Sequence, residues 1–182
     1  MLLGPLNLLD MSSELRVDRI VPTTGVPTNG GGGIIQMVEG STTNRTESSS
    51  STYIATNLSA TITPRFSSSK IYLTLGGDTN TNGTGNYQFL TYYRSINGGT
   101  FENLATNGSN DSNASNANYG FLQTYGANSR IHVPVAMPYL DSPNTTSSVE
   151  YKVYMRSGSG TVEFPSNNGY QAARIFLFEV SA

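Results

Sequence analysis

The sequence predicts an all-β protein, a jelly-roll-like antiparallel β-sandwich preceded by an extended N-terminal arm. Three observations lead there. Hydrophobic residues make up 36% of the chain and charged residues only 12%, beside eleven tyrosines. Ser, Thr, Asn and Gly dominate the rest; β-branched and aromatic side chains suit a pleated surface, while Asn and Gly supply turns. From Ile34 onward, short apolar alternations are separated by turn clusters, and no segment carries a convincing amphipathic helical period. Finally, four glycines, Gly30 to Gly33, divide this strand-like region from what precedes it. A chain of 182 residues is long enough for one domain with a real core plus an appendage.

Residues 1–33 read as the arm. Leu15, Val17, Ile20, Val21, Pro22, Val26 and Pro27 are its candidate attachment residues. The two prolines remove backbone donors and bias the residues before them toward extended geometry. The arm is too poor in apolar residues to bury a core alone, so its order must come from something it lies against. Gly30, Gly31, Gly32 and Gly33 form a joint with little side-chain constraint and are the candidate hinge. The opening Met1–Met11 holds five leucines, but no basic residue precedes Arg16 and Gly4-Pro5 breaks the apolar run. A signal peptide or membrane span is therefore not expected, and docking in an apolar groove of a neighbour is. Met11 is a second candidate start.

Residues 34–182 read as the sandwich, of eight to ten strands. Ile34–Glu39 is the first. Leu58, Ala60 and Ile62 alternate with polar residues up to Pro64, and Ile71, Leu73 and Leu75 do so up to Gly76-Gly77, where a strand end is expected. Tyr87–Ile96 closes on Asn97-Gly98-Gly99, a hairpin signal leading into Thr100–Leu104. Tyr119–Tyr125 and Arg130–Tyr139 follow, the latter suited by Pro134 and Pro138 to an edge or a bulged strand. Val149, Tyr151, Val153 and Met155 give the cleanest period-2 pattern, and Gly158-Ser159-Gly160 turns it into Thr161–Phe164. The last strand, Ala172–Val180, is apolar on both faces at Ile175-Phe176-Leu177-Phe178, as in a strand buried between layers. Ala105–Asn118 is expected to be an exposed loop.

Little in this chain points to catalysis, and an enzyme is not expected. A formal charge of −2 leaves no electrostatic footprint for nucleic acid. With no cysteine there is no disulfide, thiolate metal site or thiol nucleophile, which favours a reducing site of synthesis. His132 is the lone histidine and reads as a packed or surface imidazole. Asp78-Thr79-Asn80-Thr81-Asn82-Gly83 matches the first half of a calcium loop, but Phe89 stands where the bidentate Glu belongs. It is read as a plain loop, with no metal and no cofactor expected. The Asn-x-Ser/Thr sequons from Asn44 to Asn144 follow from composition. Glu102, Glu150, Glu163 and Glu179 suggest no facing pair and read as solvent-facing strand positions. The tyrosines are the remaining recognition candidates, with Tyr119, Tyr125 and Tyr170 proposed at the surface. Tyrosine suits subunit interfaces and sugar-binding surfaces alike.

The arm Ser13–Pro22, the Gly30–Gly33 joint and the Ile34-Ile35-Gln36 strand resemble virion proteins of tailed phages of cyanobacteria and other marine bacteria. So do Leu58–Lys70, Leu140-Asp141-Ser142-Pro143, Val149–Val153 and Arg156-Ser157-Gly158-Ser159-Gly160. The resemblance spans nearly the whole chain after Met11 as a series of loose landmarks. It implies a trimeric jelly roll similar to tumour-necrosis-factor-like fibre heads, with other virion proteins as partners. Such a protein is made in the host bacterial cytoplasm and works in the virion, as a capsid decoration protein or a short head or tail fibre. A carbohydrate-binding head that recognises a host surface glycan is the other reading. Neither nucleic-acid binding nor membrane insertion is expected.

Overall fold

A computed structural model of the chain describes residues 33–82, 84–106, 119–126, 130–166 and 171–181. The attachment residues Leu15 to Pro27, the glycines 30–32, Tyr170 and nearly all of the 105–118 spacer lie outside the described residues.

Twelve described strands form two antiparallel sheets. In chain order they are β1 (Ile34–Thr42), β2 (Thr46–Ser48), β3 (Ile54–Ile62), β4 (Lys70–Asn82), β5 (Tyr87–Ile96) and β6 (Glu102–Asn103). Then come β7 (Leu122–Tyr125), β8 (Arg130–Ala136), β9 (Tyr139–Asp141), β10 (Val149–Ser157), β11 (Thr161–Phe164) and β12 (Ala173–Val180). The larger sheet runs β1-β12-β4-β11-β2, with β8 and β9 on the other edge of β4. The smaller runs β3-β10-β5-β6, with β7 also on β5. The pairings are nested: β1 with β12 encloses β3 with β10, then β4 with β8 and β9, then β5 with β6 and β7. This is one long antiparallel ribbon folded over on itself, the jelly-roll arrangement that the strand pattern predicts.

Period-2 burial builds the core. On β10, Val149, Tyr151, Val153 and Met155 are all fully buried and their alternates are not. They meet Leu58 and Ile62 of β3 beside them and Ile71, Leu73, Leu75, Ile175 and Leu177 from the facing sheet. Each such side chain contributes about 1.5–3 kcal/mol through burial. Two core tyrosines find partners for their hydroxyls. Tyr92 donates to the Met137 carbonyl at 2.6 Å, and Tyr151 to Asp141 Oδ2 at 2.7 Å. Arg94 donates to both Asp141 oxygens at 2.9 Å, so Asp141 of the larger sheet ties down two residues of the smaller. The hairpin after β5 turns on Asn97 (φ 52°) and Gly98 (φ 70°), the left-handed pair that an Asn-Gly turn demands.

Two expectations are corrected. The strand from Ile71 does not stop at Gly76-Gly77 but continues to Asn82, pairing with β8 on one edge and β11 on the other. A Cβ on Gly77 would lie 3.0 Å from the Cβ of Ala173, so this glycine serves a close strand approach. Asp78 to Asn82 therefore lie in a strand rather than a loop, and same-face residues such as Asp78 and Asn80 are spaced about 7 Å apart along it instead of curling around one point. Thr79 and Thr81 point inward, and the Thr79 hydroxyl donates to the Glu163 carbonyl at 2.8 Å. The second correction concerns β12. It is central, between β1 and β4, but only Ala173, Ile175, Leu177 and Glu179 are buried; Phe176 and Phe178 are half-buried on the outer face.

Candidate interaction surface

The register carries the outward residues of β12 into a band across four strands. Met37 of β1 stands opposite Phe178, Phe178 opposite Tyr72 of β4, and Tyr72 opposite Leu140 of β9. Met37 is 58% exposed, Leu140 50% and Tyr72 38%. At ordinary strand spacing the band is about 14 Å wide. Rings knit its centre, with centroids 6.2 Å apart for Tyr72–Phe178 and 6.4 Å for Phe176–Phe178. The Glu39–Arg174 ion pair bounds one end, while exposed Ile34, half-buried Val180 and exposed Lys70 form the next row at the other. The apolar run of β12 pointed to this face, but Met37, Tyr72 and Leu140 come from three other strands and need the register to join it.

The outer face of the smaller sheet is also aromatic but carries its own cations. Tyr93 stacks on Tyr154 with centroids 3.9 Å apart, and Phe101 adjoins Tyr154 at 6.0 Å. Lys152 lies 5.4 Å over Phe101, and Arg156 lies 4.0 Å over Phe89. Burial pushes the Tyr53 hydroxyl up to about 12, against the opposing pull of nearby Arg156.

Tyr119 and Tyr125 both pack at one end of this smaller sheet. Tyr125 packs on Tyr87 at 4.9 Å, its direct partner across the β5–β7 ladder. Tyr119 sits edge-on to Phe89 at 5.5 Å. Gly120 makes that placement possible. Its φ is +67°, and a Cβ there would lie 2.3 Å from the Leu90 carbonyl oxygen. Gly33, the last of the hinge glycines, accepts a hydrogen bond from the Ser181 amide at 3.1 Å.

The carboxylates are corrected in part. Glu102 is exposed and Glu150 half-buried, but Glu163 and Glu179 are buried rather than solvent-facing. Glu163 is paired with Arg45 at 3.1 Å. Glu179 accepts from Gln36 Nε2 at 2.6 Å and from the Arg65 and Phe66 amides at 2.7 and 3.4 Å. Burial by itself would raise its pKa; the Ser69 hydroxyl and these three donors outweigh it and hold the carboxyl below its ordinary value.

His132 lies on the surface, with partners that no spacing in the sequence revealed. Its Nδ1 is 2.7 Å from Ser166 Oγ and 3.2 Å from Asp78 Oδ2. The residue types match a hydrolytic triad, but the geometry does not. A triad places acid and nucleophile on opposite ring nitrogens. Here both meet Nδ1, and the fully buried Ser166 hydroxyl donates to Asp78. The Gln171 amide donates to Asp78 Oδ1 at 2.6 Å. The cluster joins β4, β8 and the segments flanking residues 167–170 as a polar clasp.

No family model matches this chain, and no curated protein is significantly similar to it.

Proposed function

We propose that the chain is a structural protein of a bacteriophage virion: a homotrimer of jelly rolls mounted on the particle through residues 1–33. It serves there as a capsid decoration protein or a short head or tail fibre. The band Met37–Phe178–Tyr72–Leu140 carries this reading. An apolar outer face on a sheet is unfavourable for a lone domain in water and is relieved when copies close around a symmetry axis. The number three comes from the resemblance of the sequence landmarks; the band supports closed association as such. The role is mechanical. The arm adds backbone pairing and apolar burial at the mount, and the glycines before Ile34 uncouple the body from it. Synthesis in the bacterial cytoplasm fits a chain without cysteine.

Light scattering on the full chain is expected to give the mass of a trimer; a monomer at micromolar concentration with the body folded would end that part of the proposal. Deleting residues 1–29 is expected to leave a soluble, folded body that no longer incorporates into particles. Normal occupancy of virions by the truncated protein would place attachment in the jelly roll instead.

A further inference from the structure

We infer that the tyrosine-lined end of the smaller sheet, formed by Tyr87, Tyr119 and Tyr125 over Phe89, is a binding site for a neutral saccharide. Its floor is a pair of rings on one strand. Tyr87 and Phe89 are two residues apart on β5, face the same side, and lie within 15° of parallel with centroids 6.4 Å apart. Two further tyrosines rise from that floor. Tyr125 is tilted 48° to Tyr87, and Tyr119 stands 71° from Phe89. The three tyrosines are 39%, 44% and 51% exposed for Tyr87, Tyr119 and Tyr125, whereas Phe89 is buried, with Tyr119 edge-on to its ring and Arg156 over it.

The chemistry of this end selects its ligand. Its exposed rings all belong to tyrosine, which presents a flat apolar face for sugar C–H groups and a hydroxyl for sugar oxygens. The band on the larger sheet mixes Met, Leu and Phe around its tyrosine and has few polar groups to direct a sugar. Exposed Gln123, opposite Phe89 on the ladder, adds an amide that can both donate and accept. Arg156 lies on the Phe89 ring and beside Tyr53, so its charge is engaged within the sheet. A neutral ligand fits such a surface better than a phosphate or an acidic peptide. Two glycines hold the arrangement. Gly120 lets the chain cross β5 closely enough to set Tyr119 on Phe89. Gly158 stands beside Tyr87, where a Cβ would lie 2.9 Å from the Tyr87 Cβ and 3.0 Å from Phe89 Cε2.

Saturation-transfer NMR of the full chain with cellohexaose, maltohexaose and chitohexaose tests this site, with titration of whichever sugar responds. At least one is expected to bind. Tyr125→Ala and Tyr119→Ala should each weaken it about tenfold, the scale of one lost aromatic contact. Tyr125→Phe, which keeps the ring, should retain most of the affinity, and Met37→Ser on the other sheet should leave it unchanged. Transfer to none of the three sugars, or binding indifferent to both alanine variants, would overturn the inference. So would equal loss in Met37→Ser. If Tyr125→Ala and Tyr119→Ala instead dissociated the oligomer, this end would be a contact between copies and the saccharide reading would fall. None of these outcomes bears on attachment through residues 1–33, which particle incorporation reads separately.

Discussion

On β10 of the smaller sheet the outward residues are Glu150, Lys152, Tyr154 and Arg156; on β12 of the larger they are Arg174, Phe176, Phe178 and Val180. Both strands are central, and both bury every second residue. The smaller sheet covers its outer rings from within, with Lys152 over Phe101, Arg156 over Phe89, and Tyr93 stacked on Tyr154. Its face is finished in a single copy except at the tyrosine end. On the larger sheet the cation of β12 is spent on Glu39, at the margin, and the middle of the face is left apolar. Aromatic content alone thus does not mark an interface; what matters is whether the same face supplies the groups that cap the rings.

The largest expected effect breaks that contrast directly. Phe178→Glu places a charge in the centre of the apolar band and should convert the proposed trimer to a folded monomer, seen as a threefold fall in mass by light scattering. Tyr154→Glu, the corresponding outward change on the smaller sheet, should leave the mass unchanged. If both variants or neither dissociated, the two faces would not differ in the way described. Next comes the seam between the sheets. Asp141→Ala strips the carboxylate from Arg94 and Tyr151 together and should lower stability by about 3 kcal/mol in chemical denaturation, since it leaves a partly buried guanidinium without its main partner.

The smallest of the three effects lies at Glu179, on the inward side of β12. Glu179→Gln should cost about 2 kcal/mol, because a charged acceptor of several hydrogen bonds becomes a neutral one. The pH dependence follows from its lowered pKa. The stabilisation is complete above the unfolded-state pKa of about 4.3 and is lost as pH falls through the lower folded value. The wild-type melting temperature should therefore drop on acidification below pH 4 more steeply than that of Glu179→Gln, in melts followed by circular dichroism. Parallel curves would assign the acid sensitivity elsewhere.

Strands with apolar alternation were legible from the sequence because burial there follows residue type. β3 and β10 are the clear cases; Pro134 fits β8, which pairs only with β4 among the described strands, whereas Pro138 falls in the break between β8 and β9 that divides the expected single run. The far half of β4 was not legible. Asp78 to Asn82 is polar at every position, and its inward Thr79 is satisfied by the Glu163 carbonyl, 84 residues away. The same limit hid the buried acids. Gln36 and Glu179 are 143 residues apart, so nothing near either one signals that the carboxylate will be enclosed. For the interaction surface, the surplus of apolar residues on β12 was visible, and so were Tyr119 and Tyr125 as candidates. Which neighbours complete each patch depends on ladder register, and for Tyr119 on the close crossing at Gly120.

The hydrogen bond from Ser181 to Gly33 has a practical corollary for anyone handling this protein. Since β1 and β12 lie side by side and run antiparallel, the polypeptide enters and leaves the sandwich at one corner. A purification tag or fluorescent reporter fused after Ala182 would emerge beside Gly33, at the point where the chain enters β1.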